Sequence, residues 1–104
     1  MIYELIEWFH QNPEAPVLIL HELDAMRMET KKIEIYRDGT MDFADNKLET
    51  GSTFLGEIAV PTLAEINRDE EFSGVEISKN SFDAFWGHIL NDHLISDKGN
   101  YNIM

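Results

Sequence analysis

The chain contains no cysteine, no apolar run long enough to span a membrane, and few basic residues. Without cysteine there is no disulfide, no thiolate zinc site and no cysteine nucleophile, a composition that suits a reducing compartment. A membrane helix needs about 20 consecutive apolar residues, and no stretch approaches that length. Eight Lys and Arg against twenty Asp and Glu give a net charge of −12. We therefore expect a cytoplasmic protein that binds neither membranes nor nucleic acid.

The sequence motifs of common enzyme classes are also missing. There is no Gly-x-Ser-x-Gly elbow, no phosphate-binding glycine loop and no His-Glu-x-x-His motif. Carboxylates are numerous, but no pair is singled out by surroundings that would push two pKa values apart. The first residues lack a basic leader and carry acids inside their apolar run, so we expect no secretory signal. We expect no catalytic residue, no cofactor and no bound metal.

Length and composition indicate one folded domain. The chain has 104 residues, of which 43% are hydrophobic and 11% aromatic, enough for a real core. We expect the domain to span residues 1–92 and residues 93–104 to form a flexible tail. We also expect a monomer or a weak homo-oligomer.

The first half of the chain favours β-strands. Residues 2–10 fit either a helical stripe or a strand, and their β-branched and aromatic residues favour the strand. Residues 17–23 are apolar on both faces and predict a central strand. Residues 27–37 alternate towards their end, and the Asp-Gly pair that follows predicts a hairpin to a strand at 41–45. Residues 53–60 are a possible further strand.

The second half favours two helices. Thr62 and Glu65 have the spacing of a capping box, which predicts a short helix ending near Asp69. Ser78 or Ser81 begins a second helix reaching residue 92, whose apolar stripe comprises Phe82, Phe85, Trp86, Ile89 and Leu90. The predicted fold is α+β: an antiparallel meander of four or five strands with two helices packed on one face.

Charge is unevenly distributed along the chain. Residues 38–76 hold ten acids and two bases, a net charge of −8, whereas residues 27–37 carry +2. The densest acidic cluster comprises Asp69, Glu70 and Glu71, followed by Phe72 and then Glu76. Such a run is either a solvated helix end or a surface for a basic partner, in which acids steer association and Phe72 is an apolar anchor.

Two histidines and one tryptophan allow further interpretations. His10 and His21 could approach each other across a hairpin and bind a metal with Glu7 or Glu22, but their spacing matches no ligand motif. We interpret them as surface or strand-edge residues. Trp8 lies among residues that are apolar on both sides, so it belongs to the core or to an exposed patch.

Spaced residues over positions 2–90 resemble a family of small bacterial proteins known mainly as a domain of unknown function. The matching positions include Pro16, Val17, Leu18, Glu22, Leu23, Asp24, Ile33, Glu34, Ile35, Tyr36, Arg37, Asp38, Gly39, Thr40, Ala44, Thr53, Leu55, Gly56, Glu57, Pro61, Thr62, Leu63, Glu65, Ile66, Asn67, Asp69, Glu71, Phe72, Ile77, Ser78, Phe82 and Trp86. The family supplies no activity and no catalytic residue. Small acidic proteins of this kind look like the immunity proteins of contact-dependent and polymorphic toxin systems.

The charge and the resemblance together lead to a functional hypothesis. We expect an immunity protein that binds the basic C-terminal domain of a cognate toxin, an RNase or DNase, and blocks its active site or substrate path. The predicted partner-binding residues are Glu49, Glu57, Asp69, Glu70, Glu71, Phe72 and Glu76. The alternatives are a small metal- or carboxylate-dependent hydrolase using His10 and His21, and a regulatory module that binds a cellular protein.

Overall fold

The computed structural model describes the backbone of residues 1–102 and the side chains of residues 1–92. It contains five strands and two helices, β1 (Ile2–Trp8), β2 (Leu18–Leu23), β3 (Glu29–Ile35), β4 (Met41–Ala44), α1 (Leu63–Ile66), β5 (Phe72–Glu76) and α2 (Lys79–Asn102). The strands form one antiparallel sheet in the order β4-β3-β2-β1-β5. The predicted α+β class and five-stranded sheet are confirmed.

The first four strands form the predicted meander. β1 is a strand, as its composition favours, and β2 lies in the middle of the sheet. The turn between β3 and β4 contains Gly39 with a φ of 89°, a left-handed conformation that glycine adopts without strain. The carboxylate of Asp38 accepts hydrogen bonds from the backbone N–H and the hydroxyl of Thr40, and these bonds lower the pKa of Asp38. The Asp-Gly signal therefore located the hairpin correctly.

The two helices cover opposite faces of the sheet. Residues of α2 pack against Tyr3, Leu20, Ile33 and Phe43, and we call this side of the sheet the α2 face. Residues of α1 cover the other side, the α1 face, where a Cβ added to Gly74 would lie 2.8 Å from side chains of both Ile6 and α1. The sequence predicted both helices but placed them on one face, because helical stripes do not indicate which side of a sheet they cover.

The main core lies under α2. Phe82 is completely buried, with its ring centroid 5.2 Å from that of Tyr3 and 6.1 Å from that of Trp86. Trp86 also meets Phe43 edge to face at 5.5 Å. The apolar stripe is confirmed at Phe82, Trp86 and Ile89, whereas Phe85 is 44% exposed. Truncating Phe82 or Trp86 to alanine would cost about 3–5 kcal/mol of unfolding free energy.

Other segments differ from their predictions. Residues 53–60 form no strand; they cross the α1 face as irregular chain, where Val60 donates its N–H to the carbonyl of Arg27. The capping box of α1 is confirmed, since the hydroxyl of Thr62 accepts from the N–H of Glu65, but the helix ends at Ile66. Ser78 Oγ accepts the N–H of Ser81, so α2 begins after Ser78.

The C-terminal boundary is described only for the backbone. The helix α2 continues to Asn102, and Ile103 and Met104 lie outside the described residues. The division into a domain at 1–92 and a flexible tail at 93–104 stays a prediction. Among the described helices, none has the length and apolar character needed to cross a lipid bilayer.

Candidate functional site

The predicted acidic cluster forms the turn between α1 and β5. Asp69, Glu70 and Glu71 are all exposed. The side chain of Asp69 accepts the N–H of Glu71 at 2.9 Å, and its carbonyl accepts the N–H of Phe72 at 3.0 Å. These bonds fix the backbone of the turn. We call this segment, residues 69–72, the acidic turn.

Aromatic residues support the acidic turn from β1. The ring of Phe72 is half-buried and stacks on Trp8, with centroids 5.7 Å apart. Trp8 Nε1 donates to Glu71 Oε1 at 3.2 Å, and the indole contacts His10 edge to face. Trp8 is therefore half-buried at the end of β1 instead of lying in the core. Phe72 presents only part of its ring as an anchor.

The remaining predicted partner residues are distributed over the sheet. Glu76 lies on the same edge strand but at its far end, four residues or about 13 Å beyond Phe72. Glu57 is exposed on the irregular segment that crosses the α1 face. Glu49 bridges to Ala44 of β4, which places it at the opposite edge of the sheet. The structure therefore brings together Asp69, Glu70, Glu71 and Phe72, places Glu76 further along the same edge strand, and places Glu49 at the opposite edge.

A groove of about 460 Å³ opens beside the acidic turn on the α1 face. Its walls are mainly apolar and include Ile6 and Ile19 of the sheet, Val60 of the crossing segment and Ile66 of α1. Phe72 also lines it, so the groove and the acidic turn share a residue.

Charged residues line both the rim and the floor of this groove. Glu65 and Asp69 line the groove and are exposed, and they make its rim. His21 and Glu29 form its floor, where His21 is only 3% exposed. An apolar cleft with a few convergent polar groups is the usual form of a binding site. We call it the α1-face groove.

Beneath the groove lies a buried cluster of ion pairs. His21 Nε2 lies 2.9 Å from Glu4 Oε1, and its Nδ1 lies 3.0 Å from Glu29 Oε2. Arg27 pairs with Glu4 at 3.0 Å, and Lys32 pairs with Glu29 at 2.9 Å. Each ring nitrogen of His21 therefore contacts a carboxylate that also pairs with a second base. We call these five residues the ion cluster.

The ionisation of Glu29 follows from its partners. Burial raises the pKa of Glu29, but hydrogen bonds from His21, from Lys32 and from the N–H of Gly56 outweigh burial and lower the pKa to about 2. The Gly56 contact, 2.8 Å from Glu29 Oε1, also ties the crossing segment to the sheet.

Arg27 completes the attachment of the crossing segment. Its guanidinium donates to the carbonyls of Val60 and Pro61 at 2.9 and 2.8 Å as well as to Glu4. Its backbone has a φ of 62°, which is uncommon for a residue other than glycine. A lysine could not replace these contacts, because its single ammonium lacks the fork of donors that guanidinium provides.

The ion cluster has the contacts of a structural site rather than those of a catalytic site. Both ring nitrogens of His21 contact carboxylates, which leaves neither free to exchange a proton with a substrate. His10 instead contacts the carbonyl of Pro16 and the N–H of Asn12. It lies six positions beyond Glu4 along the chain, roughly 20 Å in extended conformation. His10 and His21 thus do not share a site, and no group of three potential metal ligands occurs in the described part of the chain.

Two of the four bases in the segment at 27–37 neutralise buried acids. Arg27 and Lys32 pair with Glu4 and Glu29, and the ammonium of Lys31 lies 5.2 Å from the ring centroid of Trp86. Its fourth base, Arg37, donates to the carbonyl of His10. Two of the four positive charges of this segment are therefore neutralised within the fold, while Arg37 and the acids of the acidic turn are exposed.

Sequence reasoning missed the ion cluster and the groove, although a signal was present. Glu4 and His21 are polar residues inside otherwise apolar strands, and the register pairs them directly. His21 in turn pairs with Lys32. A register derived from the predicted strands would have placed all three side chains on one face, since alternate residues share a face. The groove depends on residues distant in sequence and had no such signal.

Comparison with known proteins identifies the family. Residues 2–91 match the family described as Domain of unknown function (DUF6881), and the chain belongs to it. No curated protein and no solved structure matches the chain. The family carries no assigned activity, so functional interpretation depends on the geometry.

Proposed function

We propose that this member of a family of unknown function is an immunity protein, which binds the basic C-terminal domain of a cognate toxin in the cytoplasm. In this proposal the acidic turn and Glu76 contact the toxin, a nuclease whose active site or substrate path is then blocked. The observation that carries the proposal is that Asp69, Glu70, Glu71 and Glu76 are exposed along the edge strand β5 and the turn before it, while Arg27 and Lys32 pair with buried acids.

The freedom of these acids supports binding. The side chains of Glu70 and Glu76 make no hydrogen bond or ion pair among the described residues. Acids with no internal partner contribute little to stability, and net charge this far from zero opposes folding through self-repulsion. Their concentration is more readily explained by a partner of opposite charge.

The mode of action would be stoichiometric. Exposed carboxylates at the edge of an interface raise the association rate with a basic protein, and the effect weakens with salt. The half-buried Phe72 and the adjacent groove would supply the contacts that slow dissociation.

A co-expression experiment tests the proposal. The gene next to that of this protein is examined for a large secreted toxin, and the toxin's C-terminal domain is expressed in cells with and without this protein. We expect survival only with the protein and a one-to-one complex by size-exclusion chromatography. Absence of both protection and complex would contradict the proposal, and retention of stoichiometric zinc or manganese after gentle purification would favour the hydrolase alternative.

A further inference from the structure

The chemistry of the α1-face groove changes with depth. The walls contributed by Ile6, Ile19, Val60 and Ile66 are apolar. The floor is polar, but its groups are already paired within the ion cluster. Among the described residues no buried side-chain nitrogen or oxygen lacks a hydrogen-bond partner.

A satisfied floor restricts what can enter. A polar group inserted deep into the groove would lose its hydrogen bonds to water and find no unpaired partner there, at a cost in free energy. An apolar side chain would lose only contacts with water and would gain contacts with the aliphatic walls. The inserted part of a ligand is therefore apolar.

The rim of the groove favours charged groups on a ligand instead of apolar ones. Glu65 and Asp69 are exposed, and each uses one carboxylate oxygen in a local bond, Glu65 with the hydroxyl of Thr62 and Asp69 with the N–H of Glu71. Their second carboxylate oxygens accept no hydrogen bond from the described residues. Groups adjacent to the inserted side chain would therefore gain most by being cationic.

We propose that the α1-face groove receives one large apolar side chain of the basic partner, flanked in the partner's sequence by lysine or arginine residues that pair with Glu65 and Asp69. This inference rests on the proposed function and makes it more specific, because it names the entry point and the sequence chemistry of the partner. The volume of about 460 Å³ is within the range of ligand-binding clefts.

Peptide binding tests the inference without knowledge of the partner. Two fluorescent pentapeptides with blocked ends are compared, lysine-arginine-phenylalanine-arginine-lysine and the same peptide with alanine at its centre. Binding is measured by fluorescence anisotropy at low ionic strength, where Coulomb attraction is strong. We expect the phenylalanine peptide to bind at least about fivefold more tightly, since burying its larger apolar surface adds on the order of 1 kcal/mol or more.

A matched pair of variants locates the binding site. Val60→Trp fills the groove, whereas Ile58→Trp adds the same ring two residues earlier, at a side chain that is 80% exposed and does not line the groove. We expect Val60→Trp to remove the preference for phenylalanine and Ile58→Trp to retain it. Because Val60→Trp could unfold the protein, methyl NMR of the wild type is a second readout. The phenylalanine peptide should shift the signals of Ile6, Ile19 and Ile66 and leave Ile33, on the α2 face, unchanged.

The outcomes of these experiments distinguish failure of the groove proposal from failure of the proposed function. Equal affinity for the two peptides, a preference that survives Val60→Trp in a folded protein, or NMR shifts outside the groove would overturn the groove proposal. Binding of neither peptide would overturn it as well. In each case protection against the toxin in cells would still support the proposed function, which fails separately when protection and complex are both absent.

Discussion

Glu29 is a buried carboxylate that remains ionised because the fold surrounds it with donors. Its side chain is 6% exposed, and it accepts from His21, Lys32 and the N–H of Gly56. The net effect lowers its pKa from 4.5 to about 2. The folded protein therefore binds the Glu29 proton less readily than the unfolded chain does, so this group stabilises the fold above a pH of about 4.5 and ceases to do so as the pH falls to about 2.

We predict a pH-dependent effect for Glu29→Gln. Near neutral pH the variant should lose about 3 kcal/mol of unfolding free energy, since a shift of one pKa unit corresponds to about 1.4 kcal/mol. The difference from wild type should shrink as the pH falls from about 4.5 to about 2. Urea unfolding monitored by circular dichroism at several pH values measures it. Glu14→Gln, at an exposed position, is the control and should show no such trend; a difference constant with pH would contradict the account.

Individual residues could be predicted from the sequence where the signal was local. The capping pair Thr62 and Glu65 and the turn residue Gly39 behave as their neighbours in sequence indicate. The role of Arg27 could not be predicted, because its acceptors Val60 and Pro61 lie more than thirty residues away and meet it only after the chain has crossed the sheet.

At the scale of elements, β5 is an edge strand whose outer side is partly closed. The side-chain amide of Asn67 donates to the carbonyl of Gly74 at 2.9 Å and accepts its N–H at 2.6 Å. These two bonds take the place of a neighbouring strand at the middle of β5. Unpaired edges promote association between chains, so Asn67 protects this edge against strand addition.

We predict that Asn67→Ala weakens this edge. Loss of two hydrogen bonds should cost about 1–2 kcal/mol of unfolding free energy. The exposed peptide groups of Gly74 should also cause self-association that increases with concentration. Thermal unfolding and analytical ultracentrifugation measure the two effects, and Asn46→Ala, at an exposed loop position, is the control. Unchanged stability and a concentration-independent sedimentation coefficient would show that Asn67 does not protect the edge.

The sequence predicted elements well when their periodicity was strong and failed where periodicity was weak. β2 and α2 were predicted because apolar residues mark one or both of their faces. β5 was missed because Phe72, Gly74 and Glu76 share one face without an apolar pattern. The segment at 53–60 contains strand-forming residues, but its backbone groups bond to Glu29 and Arg27 instead of a neighbouring strand.

For the whole molecule, the two faces of the sheet have different roles. The α2 face holds the aromatic core, and the α1 face holds the ion cluster and the groove. The net charge could be calculated from the sequence, but the location of the exposed charge on the folded protein could not. Only the fold shows that Arg27 and Lys32 neutralise buried acids. It also shows that Glu49 lies at the opposite edge from the acidic turn.

The central claim is that one acidic edge binds a basic partner. It is tested most directly by comparing a double charge reversal at this edge with the same double reversal at other exposed positions. Affinity for the neighbouring toxin's C-terminal domain is measured by surface plasmon resonance at two salt concentrations, for Glu70→Lys/Glu76→Lys and for Glu14→Lys/Glu49→Lys. All four side chains are exposed, and both double variants change the net charge equally. We predict that the first loses about 10- to 100-fold in affinity, mainly through slower association and less at high salt, while the second stays within about threefold of wild type. Equal losses in both, or no loss in the first, would contradict the claim.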